Sequence, residues 1–374
     1  MGRRIKTRGA TSGSRTLTGL FLLIFLLTAC LPPALPPVLK IGLVAPFEGR
    51  YRYVGYDTIY AARLAVREIN ERGGAGGYRL ELVAYDDRGD AELARTAARN
   101  LAVDPAVVAV LGHYRQESTL AAQTIYAAAG LPLLAVGAWP TATSTTVFPL
   151  VPSPERLAAG MWEAAAAPDA ALVAVWGAGP PAAALKIVLA EHDARLVQVV
   201  SPSPAAPLPE LLFSLLPPHV TGERLAEWRA QGWQGVLIGG PELAATEFGA
   251  VAGAAAEGTH FVTPYPLPQD LPGTADWLAA YGTLGLYVPE PGPYALPTYE
   301  AVYFLAQAIT ADMQTHGRPT RAGVTEALGS IEQDGYLGTL RWSADGYWDA
   351  APLYLYCWEQ SEPRLQRVLS AWGE

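Results

Sequence analysis

Cysteine, histidine and charge are all scarce in this chain. Its 374 residues include 2 cysteines, 5 histidines and 16% charged side chains. With Cys30 committed elsewhere, Cys357 is left alone and can form neither an internal disulfide nor a thiolate metal site. In Tyr354-Leu355-Tyr356-Cys357-Trp358 it reads as a buried strand residue. None of His113, His192, His219, His260 and His316 stands at metal-ligand spacing from another, so no metal is expected. There is no Gly-x-Ser-x-Gly elbow and no P-loop. Gly177-Ala178-Gly179 follows a strand, but Pro180-Pro181 stands where a dinucleotide fingerprint needs its third glycine. Asp86 and Asp87 are adjacent, so on a strand they face opposite ways and cannot share acid–base work. They suit a turn. A catalyst needs a nucleophile with its base, paired carboxylates or a metal. With none in view, no catalytic residue, enzyme or cofactor is expected.

Positive charge is also short. Lys+Arg number 26 against 35 Asp+Glu, a net charge of −9. Five of the basic residues, Arg3, Arg4, Lys6, Arg8 and Arg15, precede Leu20–Leu27, a short apolar run. This is the layout of a signal peptide over Met1–Ala29, too short in its apolar part to span a bilayer. It ends in Leu27-Thr28-Ala29-Cys30, which looks like a lipobox, with Cys30 the acylated first residue of the mature chain. Two or three acyl chains would anchor it stably, as one does not. The plainer alternative is an ordinary cleaved leader with an incidental cysteine. Cleavage leaves 21 Lys+Arg against 35 Asp+Glu, a net charge of about −14. That argues against nucleic acid as a partner, since its binding needs a basic surface. Leu31-Pro32-Pro33-Ala34-Leu35-Pro36-Pro37 then reads as a semi-rigid spacer. No later apolar run is long enough for a membrane span.

From Lys40 strands and helices alternate. Strands are expected at Ile41–Ala45, Tyr78–Tyr85, Val107–Leu111 and Leu131–Val136. Helices are expected at Asp57–Glu71, Ala91–Val103 and Ser118–Ala129. After Val151-Pro152-Ser153-Pro154 the pattern repeats. Helices are expected at Glu155–Ala166, Pro180–Glu191, Gly222–Gln231 and Glu242–Ala255. Strands are expected at Ala170–Trp176, Leu196–Val200, Leu211–Leu216, Val236–Ile238 and His260–Val262. Helices at Tyr299–Thr315 and Thr320–Leu328 follow, then strands at Gly338–Trp342 and Pro352–Trp358. The alternation predicts an α/β fold of two doubly wound parallel-sheet lobes. Lobe 1 is expected over 39–151 plus about 265–332, and lobe 2 over 152–264 plus about 333–374.

In open parallel sheets ligands bind beyond the carboxyl ends of the strands. Those edges hold Pro46–Tyr53, Asp86-Asp87-Arg88, Gly112–Thr119 and Gly137–Thr141. They are rich in aromatic and polar residues, as small-molecule pockets are. Gln116, Glu117 and Ser118 open a helix whose free N–H groups suit an anionic group. Alternatively, Glu117 or Ser118 only caps it.

Several stretches together resemble the periplasmic branched-chain amino acid-binding protein family, of the type I periplasmic-binding fold. They are the first strand with its Gly49 loop, Ala65–Gly74, Tyr85-Asp86-Asp87, Gly112-His113 with Ser118-Thr119, Ala254–Gly258, Tyr299–Val302 and Gly335–Gly338. The resemblance covers about Leu39–Trp358. It implies two lobes joined by three crossings, hinged closure and delivery of ligand to an ABC importer. The family's carboxylate-binding Ser and Thr fall on Gln116 and Trp139, and its first-loop Tyr falls near Tyr53 or Val54. The Glu that meets the ligand ammonium matches Glu242. Two second-lobe tyrosines are replaced near Pro181 and Pro217, and a helix is missing where Ser201–Pro207 stands.

The expected ligand-binding residues are therefore Tyr53, Gln116, Glu117, Ser118, Gly137, Trp139, Glu242 and Tyr265. Trp139 and Gln116 should face the cleft. Glu242 is either an ammonium ligand or a helix-start acid, and Tyr265 lines the cleft or stiffens the hinge. The expectation is a monomeric, extracytoplasmic solute-binding lipoprotein of an ABC importer, with a small-molecule solute and a membrane permease as partners. Its alternative is an envelope lipoprotein of the same fold that binds a protein partner.

Overall fold

In the computed structural model, residues 1–2, 36–140, 145–166, 171–197 and 208–369 are described. The leader, Cys30, most of the proline spacer and Ser201–Pro207 lie outside these residues.

Strands β1 (Val38–Ala45), β2 (Arg79–Asp86), β3 (Val107–Gly112), β4 (Leu133–Val136) and β5 (Val147–Leu150) form one parallel sheet in the order β2-β1-β3-β4-β5. Helices α1 (Arg52–Glu71), α2 (Ala91–Val103) and α3 (Gln116–Ala128) alternate with them. Every residue of β3 is buried, as befits a strand covered on both faces. Asp90 starts α2 by accepting the Glu92 and Leu93 N–H groups, an N-cap that satisfies otherwise unpaired donors. Ala94, Ala97, Ala98 and Leu101 of α2 are buried against the sheet, at the spacing of one helix face. The approach is close enough that a Cβ on Gly42 would lie 2.7 Å from Leu101 Cδ1.

The second sheet begins after α4 (Pro154–Ala165). Ser153 caps α4 through the Arg156 N–H, and Pro154 sits in the first turn, where its missing N–H costs nothing. The sheet takes β6 (Leu172–Trp176), β7 (Arg195–Leu196), β8 (Leu211–Ser214), β9 (Val236–Gly239) and β10 (His260–Thr263). Between them lie α5 (Pro180–Glu191), α6 (Pro218–Ala230) and α7 (Thr246–Ala252). The chain then crosses back. Helix α8 (Ala275–Gly282) packs on α1, α9 (Ala295–His316) on α1, β3 and β4, and α10 (Arg321–Leu328) on α9 and β3. A short hairpin of β11 (Gln333–Gly335) and β12 (Gly338–Leu340) precedes the last crossing. Finally β13 (Leu353–Glu359) pairs antiparallel with β10, and β14 (Glu362–Leu369) antiparallel with β13. The second sheet thus runs β14-β13-β10-β9-β8-β6-β7. Its outer core is aromatic. Trp228 meets Trp176 and Trp233 edge to face at 5.0 and 5.5 Å, the geometry that ring quadrupoles favour.

The α/β class with two wound sheets is as expected, and α2 and α5 have the expected bounds. Some elements differ. The expected helix Glu242–Ala255 is instead a 3-10 turn at Pro241–Ala244, α7, and a second 3-10 turn at Gly253–Ala256. Ala245 is extended and Gly253 has φ +56°, so neither residue continues a helix. Helix α1 starts five residues before Asp57 and α6 four before Gly222. The strand expected at Leu196–Val200 is described only as Arg195–Leu196, with 198–200 outside the described residues. Strands β5 and β14 and helix α8 were not expected.

Candidate functional site

Beyond β1 and β2 the backbone is held by Asp86. Its Oδ1 accepts the N–H groups of Phe47 at 2.8 Å, Glu48 at 3.3 Å and Arg88 at 3.0 Å. Asp87 Oδ2 lies 2.7 Å from His113 Nδ1, and His113 Nε2 lies 3.1 Å from the Tyr126 hydroxyl. The Asp87 and His113 side chains are fully buried. Both acids therefore build the loops and are engaged by protein. Gly112, between β3 and His113, has φ +126°, and a Cβ there would lie 2.1 Å from the Val44 carbonyl oxygen. Only glycine fits that turn.

Arg115 precedes α3 and makes no helix cap. Its guanidinium instead reaches Glu242 in the turn after β9, Nη1 to Oε2 at 3.1 Å. The side chains are 12% and 29% exposed. The same guanidinium lies 3.9 Å from the centroid of the Tyr51 ring, a cation–π contact. Burial is the largest single influence and works against its charge, but Glu242 together with Tyr51, Tyr53 and Tyr294 outweighs it and favours the protonated guanidinium. Tyr51 also meets His219 at the start of α6, with ring centroids 6.0 Å apart. These contacts join the loop edges of the two sheets. Sequence reasoning named the loops that carry Tyr51 and Arg115 without singling out either residue, and it missed His219.

Between the edges lies a cavity of about 80 Å³ whose lining includes Gln116, Gly137, Trp139, Pro181, Leu215 and Glu242. Four expected residues are thus brought together: Gln116, Gly137, Trp139 and Glu242. Gln116 Nε2 donates to the Trp139 carbonyl at 2.7 Å, and Gln116 Oε1 accepts the Trp139 N–H at 2.8 Å. The indole N–H of Trp139 donates to Pro152 O at 2.9 Å. The other four stand apart from this lining. Tyr53 lines a separate hollow of about 470 Å³ with Tyr56, Asp57, Thr246 and Pro291. Glu117 is exposed. Ser118 is buried, and its Oγ has no hydrogen-bond partner. Tyr265 is buried at the crossing after β10. Its hydroxyl donates to Leu150 O and accepts the Gly137 N–H at 2.9 Å, so it ties that crossing to the first sheet.

A larger hollow, about 1010 Å³, includes Arg72, Tyr299, Glu300, Tyr303 and Tyr336 in its lining. The Tyr299 and Tyr303 hydroxyls both donate to Glu68 at 2.7 Å. No strand or helix of the second sheet lines this hollow, so it does not lie where the loop edges of the two sheets meet. Among the described residues no group of three or more His, Cys, Asp or Glu could hold a metal ion. No helix among them is long and apolar enough to cross a membrane.

Two wound sheets whose loop edges meet across a small cavity define a hinged α/β binding protein. The chain belongs to the periplasmic binding protein family, whose model matches residues 38–200 and 205–362. It is 24% identical over 378 residues to the leucine-, isoleucine-, valine-, threonine- and alanine-binding protein of Pseudomonas aeruginosa, covering 95% of this chain and 99% of that one. It is 26% identical over 348 residues to the leucine-specific-binding protein of Salmonella typhimurium, covering 82% and 92%. In structure it resembles a leucine binding protein from Thermotoga maritima, with TM-score 0.76, 18% identity and coverage of 88% and 98%. It also resembles the branched-chain amino acid transporter substrate binding protein of Streptococcus pneumoniae in complex with isoleucine, with TM-score 0.74, 20% identity and coverage of 88% and 98%. The protein is an extracytoplasmic binding protein of this family.

Proposed function

We propose that the protein is the solute-binding lipoprotein of an ABC importer, anchored through Cys30, monomeric and without catalytic activity. It closes its two sheets on a small amino-acid-like or related polar solute and presents the closed form to a membrane permease. Of the sequence-expected residues, Gln116, Gly137, Trp139 and Glu242 would meet the solute, while Tyr265 would stiffen the hinge. The observation that carries this reading is the Arg115–Glu242 contact beside the cavity, which links the two sheets at their loop edges. A solute bound there touches both lobes, and only a ligand with unequal affinity for open and closed forms can shift their populations. The relatives' names, which refer to leucine, isoleucine and valine, support the solute reading over the protein-partner alternative.

The test is a thermal-shift screen of the compact unit Val38–Glu374 against amino acids, short amides and small organic acids. A ligand at ~100-fold over its Kd should add about 2.7 kcal/mol of stability. A melting temperature unmoved by every compound would refute solute binding. For the anchor, Cys30→Ser should move the protein from the membrane fraction to the soluble one. Continued membrane retention of that variant would refute lipidation.

A further inference from the structure

We infer that the solute held beside Arg115 and Glu242 is a small, uncharged and largely apolar molecule, because the charged and hydrogen-bonding side chains of the cavity lining already serve protein partners. This rests on the solute-binding reading above and replaces its amino-acid-like solute with an uncharged one. The cavity measures about 80 Å³, whereas ordinary ligand pockets begin at about 300 Å³. The occupant is therefore small.

Glu242, the carboxylate of the cavity lining, holds Arg115 at 3.1 Å. Both polar ends of Gln116 are engaged by the Trp139 backbone at 2.7 and 2.8 Å. The Gly137 N–H donates to Tyr265 at 2.9 Å. The Ser214 hydroxyl pairs with that of Thr221 at 2.8 Å and meets the Leu216 N–H at 3.4 Å.

Helix starts, the usual source of free N–H donors for an anion, lose their first N–H groups to proline on the second sheet. Helix α5 opens with Pro180-Pro181, and Pro217-Pro218 open α6. Pro241 opens the turn that carries Glu242. Proline has no N–H to offer. What remains of the lining is apolar, including Pro181, Leu215, Leu216 and Leu243.

Charge on the solute meets opposition in either sign. A carboxylate drawn to Arg115 faces Glu242, and an ammonium drawn to Glu242 faces Arg115. A zwitterion must part the Arg115–Glu242 pair, whose side chains are 12% and 29% exposed, and re-pair each of its charges. An uncharged solute leaves the pair closed across the cleft.

The experiment is calorimetric titration of the purified protein with five probes: isobutyramide, isobutyrate, isobutylamine, L-valine and L-leucine. The first four share the isopropyl group and differ in the charged groups attached to it. Isobutyramide should bind at least about tenfold more tightly than any charged probe, a readily resolved difference in Kd. Arg115→Gln leaves Glu242 unpaired and should shift preference toward isobutylamine over isobutyramide by about tenfold. Should that variant fold poorly, Arg115→Gln combined with Glu242→Gln removes both charges at similar size and should retain the preference for the amide. Valine or leucine binding most tightly, with binding lost in Arg115→Gln, would overturn the inference and leave solute binding standing. A preference for isobutyrate or isobutylamine in the unaltered protein would overturn it too. Silence from all five probes, in protein and variants alike, would overturn the inference. Silence across the wider thermal-shift screen as well would overturn solute binding itself.

Discussion

Asp57 should make the protein lose stability as pH rises toward neutrality, and Asp57→Asn should remove that loss. The carboxyl lies in α1, buried, accepting the N–H groups of Gly292 at 3.1 Å and Tyr294 at 3.3 Å. Burial raises its pKa from 3.8 to about 7, against the opposing pull of those two bonds. In the unfolded chain the same group titrates near ~3.9. Between these values the folded protein binds more protons than the unfolded one, so the free energy of unfolding falls with rising pH. Below about pH 4 both states are protonated and there is no penalty. Above about pH 7 both are ionised and the penalty is complete. At ~1.36 kcal/mol per pH unit, the full loss is about 4 kcal/mol. Glu300, raised from 4.5 to about 7 mainly by burial, adds a slope of the same sign. The informative quantity is therefore the difference between protein and variant. Urea unfolding midpoints of both should be followed from pH 4 to pH 8. The Asn variant should have a shallower slope, by a total approaching about 4 kcal/mol. Equal slopes in the two proteins would refute the reasoning. Absolute stabilities would not serve, because the amide must turn its N–H₂ toward one of two backbone donors.

Gly112→Ala should destabilise the first sheet by about 2–4 kcal/mol. The new Cβ would sit 2.1 Å from Val44 O at a φ of +126°, and an unchanged urea midpoint would contradict this. Tyr265→Phe should cost about 1–3 kcal/mol by leaving the Gly137 N–H without its partner. Thermal unfolding reads it directly, and a neutral result would mean that water replaces the hydroxyl.

The parts legible in the sequence were those with one clear period. Helix α2 shows its apolar face and Asp90 cap openly, and α5 is bounded by Pro180 and Glu191. The start of α1 was hidden because Tyr53 and Tyr56, aromatic and polar at once, blur the apolar spacing. Strand β5 contains Pro149, which argues against a central strand, yet it lies at the sheet edge where proline is tolerated. Strand β14 is largely polar and exposed, so it carries little apolar signal. Four site residues were found from the rule that ligands lie at strand ends. Arg115 was not, because a basic residue before a helix reads as solvated and its partner is 127 residues away. Only the sign of its neighbours in space, invisible along the chain, makes it part of the site.

The pairing of β10 with β13 bears on how the chain must be built. Strand β10 ends at Thr263, but its antiparallel neighbour begins at Leu353. The first sheet is covered only when α9 and α10, ending at Leu328, have been made. During synthesis both halves therefore wait, unfinished, for segments far downstream. Contacts so distant along the chain make for slow folding. Until nearly all of the chain exists, neither sheet has its full complement of neighbours.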